Sequence, residues 1–308
     1  MKKFWKFVTL VILLTSLTDW GLGTLFDHWY PKIKTGQTGG KINYYLNKTL
    51  VPSLVIVGNS RALYQVIPDS LHAQSFNLSH AGMSQVFQTG LLSILKDAHK
   101  MPSVILLHLE PEEFTFDDNG NDIQNLKYYY GKNKLVTQYI SEISIFESSK
   151  YVFHLYRYNG RVFTFLKNLV QSTYLFKEYN GYEVIPATIK DSINTIYSAN
   201  NVGDIKNENL NERQISYLLE FIRLCSESKT KVICFTSPLY RQPKRINLIT
   251  SKLNSILKSK GVHYIDFIQN PIEGLQRNPS LWKDAYHLNH NGARIESSIL
   301  GLQIKELL

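Results

Sequence analysis

Short apolar runs alternate with stretches of helical periodicity along most of the chain. Ser53-Leu54-Val55-Ile56-Val57 empties into Gly58-Asn59-Ser60-Arg61-Ala62, and Phe76-Asn77-Leu78 is followed by Ser79-His80-Ala81-Gly82. Val104-Ile105-Leu106-Leu107 lies between Pro102 and Pro111, Lys231–Phe235 precedes Ser237-Pro238, and Val262–Asp266 is the last such run. Between them, Ser84 to about His99 places Val86, Phe87, Leu91, Leu92, Ile94 and Leu95 at helical spacing. Asn211 predicts a cap for a helix running to about Ser228, another helix is expected near 244–259, and the last begins around Asn289 to Gly292. Continuous apolar strands separated by helices predict a three-layer α/β domain, a parallel sheet with helices on both faces. Ligands of such sheets bind beyond the carboxyl ends of the strands. Ser60, Gly82, Glu110 and Ser237, each just past an apolar run, are therefore expected along one edge.

Two regions break this rhythm. Lys2, Lys3 and Lys6 precede an apolar stretch that starts at Phe7 and continues, interrupted by Asp19, to about Phe26. A cationic flank before an apolar segment predicts lysines in the cytoplasm and the remaining chain outside, in the periplasm or at the cell surface. No small-x-small cleavage site stands around residues 15–25, so residues 1–29 read as an uncleaved signal anchor rather than a removed signal peptide. Residues 30–50 read as a linker into a domain spanning 51–308. Within that domain, residues 115–205 carry Asp117-Asp118-Asn119-Gly120, the triple Tyr128-Tyr129-Tyr130, and Tyr151, Tyr156, Tyr158, Tyr174, Tyr179 and Tyr182. They predict a mostly helical insertion, a lid or a substrate platform, whose tyrosines either pack it or stack on sugars.

Composition narrows the partners. The chain has 308 residues, 44% hydrophobic and 19% charged, ordinary for a folded protein, with a formal net charge of +9. That balance suits an anionic surface such as a membrane or a glycopolymer. No dense Lys/Arg run or nucleic-acid motif is present, so nucleic acid is not an expected partner. Cys225 and Cys234 sit in apolar patterns and read as two buried thiols, and no metal-ligand spacing or Gly-rich phosphate loop occurs. Neither cofactor nor metal is expected.

Near the C-terminus, Trp282-Lys283-Asp284-Ala285-Tyr286-His287 sets a carboxylate three residues before an imidazole. A serine hydroxyl becomes a useful nucleophile when an imidazole accepts its proton and a carboxylate orients that imidazole. Taken singly, Ser60 reads as a helix cap and Asp-x-x-His as a helix start. Together and in this order, Gly-Asn-Ser, a glycine after the second strand and a late Asp-x-x-His resemble the SGNH/GDSL hydrolase superfamily over roughly residues 52–110 and 230–308. The anchored variety is similar to alginate O-acetyltransferase and teichoic-acid D-alanyl transfer proteins. The resemblance implies an SGNH/flavodoxin-like fold with Ser60 as nucleophile, His287 as base and Asp284 as its orienter. It also implies that the N–H groups of Ser60 and Gly82 hold the oxyanion. It departs at the third block, where Leu107-His108-Leu109-Glu110-Pro111 supplies no asparagine. Arg61 and Glu110 are candidate substrate contacts, whereas His80 and His290 read as structural.

The resemblance implies a serine acyltransferase or esterase acting on O-acyl, chiefly acetyl, groups of a cell-envelope polysaccharide. The rivals are an esterase of small esters and a non-catalytic envelope component that binds glycan or a membrane-embedded acyltransferase.

Overall fold

The structure is a computed structural model that describes residues 1–71, 74–116, 120–171, 179–188 and 190–308, with only the backbone at residues 37 and 38. Among these residues, β1 (Leu54–Val57), β2 (Ser75–Asn77), β3 (Val104–His108), β4 (Lys231–Thr236) and β5 (His263–Asp266) form one sheet in the order β2-β1-β3-β4-β5. Every pairing is parallel. This is the doubly wound order in which the chain reverses direction at β1/β3, and such folds open their ligand crevice there.

Why the strands read as unbroken apolar runs follows from their two faces. Val55, Val57, Ile105, Leu107 and Cys234 point into one core. That core also takes side chains from α2 (Lys41–Leu46), α4 (Gln85–Asp97), α5 (Lys134–Ile143), α9 (Glu212–Glu227) and α10 (Ile246–Ser259). The alternate residues Leu54, Ile56, Leu106, Ile233 and Phe235 pack with α3 (Ser60–Gln65) and α11 (His290–Lys305). Successive side chains of a strand face opposite ways, so helices on both sides demand apolar residues at every position. Asn211 caps α9 by accepting from the Gln214 N–H, and Asn289 caps α11. Cys225 and Cys234 are buried free thiols, and burial pushes Cys225 up to about 12.

The N-terminal helix α1 (Lys2–Trp29) is long and apolar enough to cross a membrane, a property that signal sequences share. Its apolar side chains from Phe4 to Leu17 are exposed, but its last third is docked. Asp19 accepts hydrogen bonds from the His154 and Leu155 N–H groups, and Asp27 is held by His154, Tyr158 and Lys132. Phe26 packs on Tyr158, which follows the short helix α6 (Glu147–Lys150), and on Phe165 of α7 (Val162–Val170).

One expectation changes here, and an open alternative is decided. Residues 30–50 are not a free linker, because Ile42 and Tyr45 of α2 lie in the main core. Lys41 is also buried, donating to the carbonyls of Ser79 and Gly181. The tyrosines of the insertion pack rather than form an open platform: Tyr128 stacks on Tyr30, and Tyr130 stacks on Tyr151. Tyr174 and Asp117-Asp118-Asn119 lie outside the described residues.

Gly58 ends β1 where α3 and β3 crowd together. A Cβ there would lie 2.6 Å from the Cβ of His108 and 2.8 Å from that of Ala62. Gly58→Ala is expected to destabilise the fold by about 1–3 kcal/mol, the cost of overpacking a filled core. Chemical denaturation of the detergent-solubilised chain reads this directly; an unchanged midpoint would mean that α3 can move away freely.

Candidate active site

The turn after β1 sets the geometry of Ser60. Asn59, not Ser60, caps α3: its side-chain Oδ1 accepts from the Arg61 N–H at 3.0 Å. That leaves the Ser60 hydroxyl at the first helical position, free to turn outward. It meets His287 Nε2 at 2.9 Å. The other ring nitrogen, Nδ1, lies 3.1 Å from both carboxylate oxygens of Asp284.

The loop carrying Asp284 and His287 is held stiffly. Trp282 and Leu288 bridge its base, the Lys283 N–H donates to the His287 carbonyl at 2.7 Å, and fully buried Trp282 donates from its indole to the Leu275 carbonyl. Asp284 Oδ1 also accepts from the N–H groups of Tyr286 and His287. Burial raises the Asp284 pKa, yet the hydrogen bond and charge of His287 and these two N–H donors outweigh it and hold the carboxyl below its ordinary range. An ionised Asp284 beside Nδ1 fixes the tautomer that leaves Nε2 able to accept a proton from Ser60.

Two backbone donors stand at the same edge. Neither the Ser60 nor the Gly82 N–H makes a hydrogen bond within the chain among the described residues. The β1/β2 ladder runs on past the strands, with the His80 N–H donating to the Gly58 carbonyl at 2.9 Å. Ser60 and Gly82 each follow two residues later. Gly82 is exposed and adopts φ +69°, a left-handed backbone that suits glycine.

Arg61 is not a substrate ligand. It is 2% exposed, and its Nη1 lies 2.9 Å from both oxygens of Glu110, while Nη2 donates to the carbonyls of Ser237 at 2.5 Å and Pro238 at 2.8 Å. Glu110 is spent on the same pair, 15% exposed. Both serve the scaffold at the cleft floor rather than its open mouth. His108 accepts from the Ser237 N–H, and burial, then the charge of Arg61, push its pKa well down, so it stays neutral. Asn59 Nδ2 points toward Glu110 and Glu113. The loop after β3 thus offers carboxylates rather than an oxyanion donor. Glu112 is half-buried, and burial and then Glu110 raise its pKa.

Sequence reasoning missed several supports. The Tyr64 ring stands edge-on to the His287 ring at 6.1 Å, one helical turn after Ser60. The Ser198 hydroxyl of α8 (Asp191–Asn200) accepts from the Ala285 N–H at 2.8 Å, and Lys283 reaches Asp191. Tyr182 bonds His290 Nδ1 at 3.0 Å, and the Ile185 carbonyl accepts from the His290 N–H. The insertion therefore buttresses the loop carrying Asp284 and His287. The Tyr64 spacing was readable; the Ser198 contact was not.

No family model matches the chain, and no curated protein does. Among solved structures it is similar to a protein described as an acylhydrolase from Bacteroides fragilis, with a TM-score of 0.41 and 12% identity over 82% of this chain and 86% of that one. It is also similar to a GDSL-like lipase from Bacteroides thetaiotaomicron, with a TM-score of 0.42 and 11% identity over 92% of this chain and all of that one. At such identity and overlap neither bears on the chemistry, which rests on the side chains.

Two substitutions test the scaffold. Arg61→Ala leaves the half-buried Glu110 without its cation and is expected to cost about 3–5 kcal/mol of stability, read by urea denaturation. A loss below about 1 kcal/mol would show that water replaces the guanidinium readily. Behind α3, fully buried Glu296 accepts from Gln65 at 3.1 Å. Burial raises its pKa from 4.5 to about 7, with Ser237, Gln65 and Arg61 offsetting only part. Between those values the folded state binds more protons than the unfolded chain, so this group makes stability fall as pH rises. Glu296→Gln should flatten that slope, gaining on the wild type at pH 8 relative to pH 5. Parallel pH–stability curves would place the proton elsewhere.

Proposed function

We propose that this chain is a membrane-anchored, SGNH-like serine acyltransferase or esterase whose domain faces outward. Its substrates would be O-acyl groups, chiefly acetyl, on a cell-envelope polysaccharide. The observation that carries the reading is the continuous path Ser60 Oγ–His287 Nε2, His287 Nδ1–Asp284, joining segments 227 positions apart. In this scheme Ser60 attacks the acyl carbonyl as His287 takes its proton. The Ser60 and Gly82 N–H groups hold the tetrahedral oxyanion, and His287 returns the proton to the departing alcohol. A second alcohol or water then releases the acyl group from Ser60.

The choice of a carbohydrate alcohol is favoured by what surrounds the relay. Tyr64, Tyr286, Glu112 and Glu113 are all part-exposed around it, giving rings and acceptors suited to sugar hydroxyls. The docking of Asp19, Phe26 and Asp27 favours retention of α1, and Lys2, Lys3 and Lys6 favour a cytoplasmic N-terminus. A non-catalytic glycan-binding role is supported by one feature, the carboxylates standing where a third oxyanion donor is expected.

Ser60→Ala should abolish both fluorophosphonate labelling and the change in polymer acetyl content, and intact mass should locate an acyl adduct on Ser60 in the wild type. Asp284→Asn should lower turnover by roughly 10⁴-fold through loss of the productive tautomer. Polymer acetylation that persists in Ser60→Ala would refute the enzyme reading, and glycan binding untouched by Ser60→Ala and His287→Ala would favour the binding role. Turnover of p-nitrophenyl acetate matching that of polymer would favour a small-ester esterase.

A further inference from the structure

The domain takes hold of α1 at Asp19, whose two carboxylate oxygens accept the His154 and Leu155 N–H groups at 2.7 and 3.0 Å. From that point the chain runs along the helix toward its C-terminal end. His154 lies against Gly23, where an added Cβ would come within 2.5 Å of its ring, and its Nε2 reaches Asp27 at 2.9 Å. Four residues after His154, Tyr158 bonds Asp27 and packs edge-on to Phe26. The residues just before His154 therefore stand at the level of Asp19, at the end of the docked segment nearest the bare part of α1.

Those residues are apolar and uncovered. Val152 is 81% exposed and Phe153 57%, and at the other end of the one-turn helix α6 Ile145 is 88% and Phe146 69% exposed. The turn that presents them is fixed from within. Tyr151 is buried and stacks on Tyr130, and Glu147 is buried and paired with Lys150 at 2.6 Å. Residues 145–153 accordingly show no exposed carboxylate, and Lys150 is their one exposed charge. Four large apolar side chains uncovered within nine consecutive residues form a patch rather than scattered surface residues, and such patches mark interaction sites.

Position names the partner. Leu10, Leu13, Leu14 and Leu17 of α1 are exposed, and residues 2–18 rise roughly 25 Å at 1.5 Å per residue, about the hydrocarbon thickness of a bilayer. A carboxylate is costly in hydrocarbon, so Asp19 marks where such a span would meet the headgroups. Trp20 beside it is exposed too, an aromatic at the height where bilayer interfaces favour one. The Asp19 hydrogen bonds tie Val152 and Phe153 to that same height. An apolar turn placed there, with a lysine and no free carboxylate, suits the boundary between acyl chains and headgroups.

We propose that Val152 and Phe153, flanked by Ile145 and Phe146, dip into the leaflet that the domain faces, a second membrane contact beside α1. Two contacts, unlike one, fix the tilt of the domain on the bilayer. The proposal rests on the retention of α1 as a membrane span and not on the chemistry assigned to Ser60.

The test is depth measurement on the full chain in phosphatidylcholine vesicles. Cys225 and Cys234 are buried, and burial pushes both thiols up, so an introduced cysteine takes a nitroxide label selectively. Leu10→Cys, Phe153→Cys and Leu302→Cys, all at exposed positions, are labelled singly. Each label is then read by collision with oxygen, which concentrates in hydrocarbon, and with a nickel chelate, which stays in water. The Phe153 label should meet oxygen and little nickel, at a depth of about 5–10 Å below the headgroup surface. Leu10 should read deeper, and Leu302 on α11 should read as water. The wild-type chain, carrying no substitution, should take cross-links within residues 145–153 from a lipid with a photoactivatable group high on its acyl chain. A Leu10 label in water would remove the span and the second contact together. With Leu10 in hydrocarbon, free collision of the Phe153 label with nickel, or absence of cross-links in residues 145–153, would overturn the second contact alone. A Phe153 label shielded from both reagents would assign the patch to a protein partner or a second copy and overturn the lipid contact.

Discussion

A single guanidinium gathers the carboxyl ends of three strands. Arg61 follows β1, Glu110 follows β3, and the Ser237 and Pro238 carbonyls follow β4; all meet within one buried cluster. A buried cation is tolerable only when its charge and its N–H groups are matched, and here a bidentate carboxylate and two carbonyls supply most of that match. Because Arg61 is the neighbour of Ser60, the clamp also fixes where the first turn of α3 begins. The placement of the serine hydroxyl is thus set by a group that never reaches the cleft.

That arrangement has a chemical consequence. The loop after β3 spends Glu110 on Arg61 and leaves Glu112 and Glu113 toward the rim, so the edge is more acidic than an oxyanion site ordinarily tolerates. In the proposed chemistry, two backbone N–H groups carry the developing charge without a side-chain donor. Fewer donors mean a smaller stabilisation of the tetrahedral state. Under that proposal, positioning of the bound acceptor would have to supply more of the rate.

The Tyr-rich insertion has two distinct mechanical roles, one on each side of the segment 172–178. Its first part, through Val170, encloses the foot of α1 with stacked rings and the Asp19 and Asp27 contacts. Its later part braces the loop carrying Asp284 and His287 through Ser198 and Asp191, and covers the β2 edge, where the Asn77 N–H donates to the Asn180 carbonyl. The foot of α1 and the candidate site are therefore parts of one packed body. Lys41 strengthens this union from beneath: buried between the Ser79 and Gly181 carbonyls, it has a pKa lowered to about 7 by desolvation.

Much of this was legible in the residues themselves. Apolar runs with no polar alternation mark strands covered on both faces, and asparagines at positions 211 and 289 mark helix starts, because both signals come from local backbone and burial demands. The pairing of Ser60 with Asp284 and His287 was legible as well, since each lies at the end of an element whose type the sequence declares. Other features were not. Arg61 looked like a substrate contact and proved to be a buried clamp; residues 30–50 looked like a linker and proved to hold part of the core. Charge and polarity state what a side chain can do, but its environment is made by residues distant in sequence. Local periodicity determined the strands, the helices and the chemical types at the sheet edge; only the tertiary structure decided which charges are buried and paired, because pairing depends on distances that no local pattern encodes.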